Sequence, residues 1–322
     1  MRLFKRVLAI GLALGLGVGL VACNKKEKKA TNSSKEYRIG VISIDDSFPI
    51  YVAKEEGLFE KEGVNVKVIP FKSSSEESQA LESKSIDMMM NDMVVQSLLK
   101  KSNMDTKILA TAYGAKPEEG RFVVLAAPNS GIKTPEGFYG KKLAISKNTM
   151  MQYLMDSYYD YLKLDINKVG LVNIPNLQTR MEALLSGKID GAILPDPLAS
   201  LAIKKGAIPI IDDTELKENF SQSIIVVRDD VLKSRKDDTE KVMNCIFTAM
   251  EEINKEPKKY MEKERKFSRI PEPLKDEYPM PHYSPRKVPT KDEVKKVQDW
   301  LIKKNLIDKP ISYGDLVGNV VN

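Results

Sequence analysis

"ALESKSID", Ala80 to Asp87, and "ALLSGKID", Ala183 to Asp190, are the stretches of this 322-residue chain on which its fold is read. Each closes a helical pattern and runs straight into a short apolar segment, "IDMMMN" in the first case and "IDGAILP" in the second. Ala, Leu, Ser, Ile and Asp recur at equal spacing. Eight residues of likeness carry little by themselves, because Ala and Leu are common in any helix. Position gives them weight: the first copy follows the second strand of its series and the second copy the third, each at a helix end entering a short strand.

The first series reads outward from "ALESKSID". "YRIGVIS" predicts a strand, "PIYVAKEEGLFEKEG" a helix ending at a glycine, "VNVKVIPF" a strand and "SEESQALESKS" a helix. After the "IDMMMN" strand come a "MVVQSLLKKS" helix and a "TKILATAYGA" strand. The second series comprises "RFVVLAAP", "KKLAIS", "TMMQYLMDSYYDYLKL", "VGLVNI", "LQTRMEALLSGK", "IDGAILP", "PLASLAIKKG", "IPIID" and "SQSIIVVR". Such alternation predicts α/β organisation around a mostly parallel sheet. From Asp230 onward the character changes to helical patterns, a proline-rich loop "SRIPEPLKDEYPMPHYSPRKVP" and a last helix "KDEVKKVQDWLIKKN". Two α/β lobes and a helical tail are expected.

The N-terminus has a separate logic. Arg2, Lys5 and Arg6 precede the uncharged stretch Val7 to Ala22, whose 16 residues fall short of the roughly 20 that a spanning helix needs. It reads as a secretory signal, residues 1–22. The tetrad Leu20-Val21-Ala22-Cys23 resembles a bacterial lipobox, which implies that Cys23 becomes the acylated first residue of the mature chain. Several acyl chains, at about 0.8 kcal/mol per buried methylene, suffice for stable anchoring. Residues 23–36, including "NKKEKKATNSSKE", hold too little apolar surface to order themselves and read as a flexible, lipid-anchored linker. Cys245 lies on the apolar face of "EKVMNCIFTAMEEI" and is expected in the core, so with Cys23 acylated no disulfide forms.

Loss of Arg2, Lys5 and Arg6 lowers the formal charge from +6 to +3, and Lys25, Lys26, Lys28 and Lys29 against Glu27 account for that remainder. The body is therefore close to neutral, and no nucleic-acid partner is expected. Single-histidine composition, with His282 in the proline-rich loop, offers no Ser/His/Asp set and no Cys/His cluster at metal spacing. No metal, cofactor or catalytic residue is assigned. Met88 to Met90 and Met150–Met151 read as flexible core filler.

Ligands of open parallel sheets bind beyond the strand carboxyl ends, near helix N-termini. Those ends carry Asp45, Asp46, Ser47 and Phe48 after the first strand, Asn91 and Asp92 after the third, and Tyr113 after the fourth. The second series supplies Ser146, Asn148 and Thr149, and later Asp196. For Ser146, Asn148 and Thr149, helix capping and ligand contact both remain open readings.

"YVAKEEGLFEKEGVNVKVIPF", "ALESKSIDMMM", "GKKLAISKNT", "EALLSGKIDGAILPDPLASLA" and "VQDWLIKKNLIDKPISYGDLV" together resemble the NMT1/THI5-like group of ABC-transporter solute-binding proteins, which includes receptors for nitrate, sulfonates, taurine and pyrimidine precursors of thiamine. The resemblance implies a type 2 periplasmic-binding-protein fold: two α/β lobes around a hinge, joined by two crossing strands near Arg121 to Pro128 and Ser223 to Arg228, with a helical C-terminal tail. Residues 37–121 would form the first part of lobe I, 122–228 lobe II, and 229–322 the rest of lobe I. It implies a monomeric receptor, lipid-anchored on the extracytoplasmic face of the cell membrane. Such a receptor closes on a small solute and delivers it to a permease with its ATPase. Ligand contacts would come from Ser47 and Phe48, Asn91 and Asp92, Ser146 to Thr149, and the "PDP" at Pro195 to Pro197.

The first loop, "SIDDSFP", departs from the family pattern in having two adjacent acids and no tryptophan. If Asp45 or Asp46 joins Asp92 and Asp196 in the cleft, an amino-pyrimidine stacked on Phe48 or Tyr113 would suit it. Otherwise one acid caps the first helix and the other is solvated. Two rival functions stay in view. An enzyme of the yeast THI5 type would carry a "CCCFC" motif, absent here, and a non-transport surface lipoprotein would need no cleft.

Overall fold

The structure is a computed structural model and describes residues 35–270 and 272–318. The signal sequence, Cys23 and the linker up to residue 34 lie outside the described residues. Lys35 and Glu36, at the linker's end, offer their carbonyls to Arg235.

Ten strands form two five-stranded sheets. The first uses β1 (Tyr37–Ile42), β2 (Val66–Phe71), β3 (Met88–Asp92), β4 (Thr106–Tyr113) and a late strand, β10 (Ser223–Arg228), in the order β2-β1-β3-β10-β4. The second uses β5 (Phe122–Ala126), β6 (Lys142–Ile145), β7 (Gly170–Asn173), β8 (Gly191–Pro195) and β9 (Ile208–Asp212), in the order β7-β6-β8-β5-β9. Both sheets thus repeat one plan. In each, three parallel strands are followed by one strand antiparallel to both of its neighbours, β10 in the first and β5 in the second. Four of the five strands in each sheet run the same way, as expected of a mostly parallel sheet, and β5 and β10 run against them because they enter from the opposite lobe. The chain passes between sheets in the segments 114–121 and 213–222.

Strand character follows burial. Every residue of β3, β5, β8 and β10 is buried, so these strands are apolar without alternation, as expected of strands covered on both faces. Helices Phe48–Glu55 and Lys236–Lys255 cover one face of the first sheet, with Cys245 in that core. The expected single first helix is broken at Gly57, whose φ of +68° starts a separate turn, Leu58–Lys61. A second core joins helices Met93–Lys101, Met150–Tyr161 and Lys291–Lys303 and so spans both lobes. There Trp300 donates to Asp156 at 2.7 Å and meets Tyr153 edge-on, tying the C-terminal helix to a second-lobe helix.

The repeated octapeptide has a physical basis. Asp87 accepts from the Arg38 N–H at 2.9 Å and Asp190 from the Lys142 N–H at 2.8 Å, while their own N–H groups donate back to the carbonyls of Arg38 and Lys142. Asp87 knots the entry of β3 to the start of β1, and Asp190 the entry of β8 to the start of β6. One turn earlier, helices Ser74–Glu82 and Leu177–Leu185 end in equivalent left-handed residues, Lys84 at φ +57° and Gly187 at φ +70°.

Candidate functional site

The carboxyl ends of β1 and β3, the N-terminus of helix Ser74–Glu82 and the start of β10 face the ends of β6 and β7 across a cleft of about 490 Å³, counting the part open to solvent. Of the residues expected to contact a ligand, Asp46, Asn91, Asp92, Ser146 and Thr149 line it. Asp45, Ser47, Phe48, Tyr113, Asn148 and Asp196 do not line it.

Asp92 is the cleft's structural link. It is the N-cap of helix Met93–Lys101, accepting from Val95 N–H at 2.8 Å through Oδ1. Its Oδ2 accepts at 3.0 Å from Met150 N–H, the first residue of helix Met150–Tyr161 on the other side. One carboxylate thus satisfies helix N-termini of both lobes, so the lobes are held together. Burial pushes its pKa up to about 6 against the helpful hydrogen bonds. Thr149 does two jobs: it caps the same helix by accepting from Met151 N–H, donates to Ser146 O, and still borders the cleft.

Neither acid of "SIDDSFP" caps the first helix, and neither is solvated. Both are buried in the 3-10 turn Asp45–Ser47, and the cap position of helix Phe48–Glu55 has no side-chain hydrogen bond. Asp46 faces the cleft and accepts from Ser47 Oγ at 2.8 Å; burial lifts it to about 6. Asp45 does not line the cleft and instead accepts from Tyr278 Oη at 2.5 Å. Burial lifts Asp45 to about 7, and Glu264 beside it rises well above the usual carboxyl range through burial and then the Asp45 charge.

The remaining expectations resolve into framework. Phe48 is fully buried against Phe267, so it is core rather than a stacking platform. Tyr113 packs on Tyr283 at 5.3 Å. Asp196 is committed to Arg121, at the end of the segment that passes between the sheets, at 3.3 Å and to Ser200 N–H and Oγ at 2.9 and 2.8 Å. Asn148 is exposed in a left-handed turn at φ +58°, its N–H donating to Gln152. His282 is a loop residue beside Glu119.

Four contributors were missed from sequence. Ser73, the N-cap of helix Ser74–Glu82, and Ser223, at the start of β10, border the cleft. Glu77 is fully buried behind the wall, accepting from Asn91 Nδ2 at 2.8 Å, and burial followed by the Asp46 charge raises it well above the usual range. Arg180 is fully buried and borders the cleft. Its signal was legible, since Leu177, Arg180, Met181 and Leu184 share one helical stripe, and a charge on an apolar stripe calls for a reason.

Residues 45–260 match the family described as NMT1/THI5 like. The chain belongs to the NMT1/THI5-like family. A Bacillus subtilis protein named for aliphatic sulfonate binding is 26% identical over 200 residues, 60% of this chain and 58% of that protein. The match therefore spans less than two thirds of that relative's length. Among solved structures, the alkanesulfonate-binding protein of Xanthomonas axonopodis pv. citri bound to MOPS superposes with a TM-score of 0.72 at 16% identity, covering 86% of this chain and 95% of that one. The periplasmic aliphatic sulphonate-binding protein of Escherichia coli gives 0.71 at 19% identity, covering 90% and 94%. The family member described here has their fold, the type 2 periplasmic-binding-protein fold.

Proposed function

We propose that this chain is an extracytoplasmic receptor of an ABC importer, capturing a small polar organic solute between its lobes and passing it to a membrane permease with its ATPase. The observation that carries the reading is Asp92, whose carboxylate caps one helix from each lobe across the cleft. A bond of that kind exists only when the lobes are together, so it supports a trap with an open and a closed state. A solute that contacts both walls then shifts the population toward closure by its differential affinity. No bond of the solute breaks. The relatives are named as binding proteins, and that supports reception over catalysis.

Asp46, Asn91, Ser146 and Thr149 are the proposed contacts, while Asp92 acts by holding the closed form. Sulfonates, favoured by the relatives' names, and amino-pyrimidines, which would meet Asp46, are the solute classes to separate. Calorimetric titration with an alkylsulfonate and an amino-pyrimidine does so, and the absence of any small molecule, added or co-purified, would refute the receptor reading. The tetrad ending at Cys23 further supports acylation of that residue, with residues 23–36 as the tether. Cys23→Ser should release the protein from the membrane with binding intact; retention would sink the anchor.

A further inference from the structure

We propose that Arg180 is the anchor for an anionic head group, sulfonate or carboxylate, on the captured solute; the assignment rests on the receptor reading above.

Arg180 is fully buried, yet its hydrogen bonds all go to backbone carbonyls: Nε to Ile174 O at 2.8 Å, Nη1 to Ile193 O at 2.9 Å and Nη2 to Pro175 O at 3.3 Å. Three of its five N–H donors are thereby used, which leaves two. Carbonyl dipoles fix the plane of a guanidinium but do not cancel its charge, and a buried charge is costly unless it is paired. Among the described residues no carboxylate lies within ion-pair distance of it, and burial alone pulls its pKa down to about 9.

The other buried or half-buried arginines behave differently. Arg228 pairs with Asp87 at 3.3 Å and Asp230 at 3.0 Å, and Arg121 pairs with Asp196 and Asp212 at 3.3 and 2.5 Å. Among the buried arginines of the described residues, Arg180 is the one without a carboxylate partner, and it borders the cleft.

Its surroundings suit an anion. Ser146 offers a hydroxyl on the same wall, while the Thr149 hydroxyl is already donated to Ser146 O and the first N–H groups of helix Met150–Tyr161 are taken by Asp92 and Thr149. A planar guanidinium with spare donors matches the geometry of a sulfonate or carboxylate. The facing wall carries Asp46, opposite the anchor, and Asp92, whose carboxylate reaches across to Met150 N–H and already has an N–H on each oxygen. A bound solute would therefore place its anion at Arg180 and its hydrogen-bond donors at Asp46.

The test titrates the purified full-length chain with ethanesulfonate, with propionate and with ethanesulfonamide, a neutral near-isostere of the first. Wild type should bind at least one anion about 100-fold more tightly than the sulfonamide, the scale expected for an interaction with a buried charge. Arg180→Gln should lose about 100-fold for that anion while its weak binding of sulfonamide moves less than about threefold, and Arg180→Lys should recover part of the loss. Unchanged anion affinity in a folded Arg180→Gln, verified by its circular dichroism, overturns the anchor. If that variant does not fold, Arg180→Lys and the wild-type ratio decide, and parity between anion and sulfonamide overturns it. Co-purification of a solute without an anionic group removes the anchor but leaves the receptor reading intact; finding no solute of any class removes the receptor reading itself.

Discussion

Asp87 and Asp190 occupy the same place in two copies of one motif, and replacing each by alanine should give very different losses. Both accept from the first residue or two of a parallel strand, β1 and β6 respectively, at 2.9 and 2.8 Å. Asp190 does little else; it is half-buried, and its hydrogen bond should be worth about 1 kcal/mol. Asp87 is 2% exposed and also holds the Arg38 guanidinium at 2.8 Å and that of Arg228 at 3.3 Å. Removing it leaves Arg228, itself 6% exposed, with the Ile86 carbonyl and, as its one remaining carboxylate, the outward-facing Asp230, and breaking a buried pair from one side costs about 3–5 kcal/mol. The expected difference between the variants is thus about 2–4 kcal/mol, from the same two principles. Urea unfolding followed by circular dichroism measures it, provided the slope of each transition stays that of wild type. Costs equal to within about 0.5 kcal/mol would refute the reasoning, because the motif's hydrogen bond would then outweigh the buried arginine.

Lys84→Gly should stabilise the chain by about 0.5–1 kcal/mol, since Lys84 holds a left-handed conformation that the second copy gives to Gly187; a lower urea midpoint would contradict this. Asp92→Ala leaves the Met150 N–H without its acceptor in the closed form, and an unsatisfied buried donor costs about 1–3 kcal/mol. Calorimetry should then show solute affinity about 5- to 150-fold weaker, whereas unchanged affinity would mean that the bond plays no part in closure. Burial raises Asp45 to about 7 and Asp46, Asp92 and Asp213 to about 6, above the roughly 3.8–3.9 of an unfolded aspartate. A raised folded pKa contributes stability that is fully present below the unfolded value and is lost as pH climbs through the folded one. Thermal midpoints should therefore be higher at pH 5 than at pH 8, and Asp45→Asn should flatten the dependence; a rising midpoint over that interval would contradict it.

The strand and helix series was legible almost element by element, because strands buried on both faces are written as apolar runs and each helix carries its own stripe. β10 and β5 could be recognised as strands from "SIIVVR" and "FVVLA". Their antiparallel direction could not, because direction depends on which lobe a strand enters, and residue pattern does not encode that. The site was half legible for a similar reason. Strand-end polarity located Asp46, Asn91, Asp92, Ser146 and Thr149, but it could not say whether Asp45 or Phe48 lines the cleft. A one-residue step along a tight turn decides that, and it sends Asp45 to Tyr278 and Asp46 to the cleft. Arg180 was overlooked because a helical arginine is ordinarily a solvated one, although its neighbours Leu177, Met181 and Leu184 marked that face as interior.

The exchange of β10 and β5 also fixes an order of completion along the chain. The second sheet is assembled from residues 122–212 without interruption, so it can close as soon as that length is available. The first sheet begins with residue 37 but keeps a gap between β3 and β4 until Ser223–Arg228 arrives. A chain emerging N-terminus first would therefore finish its second lobe before its first, and a chain stopped after Asp212 would have one finished sheet and one with an unpaired inner edge on either side of the vacant slot.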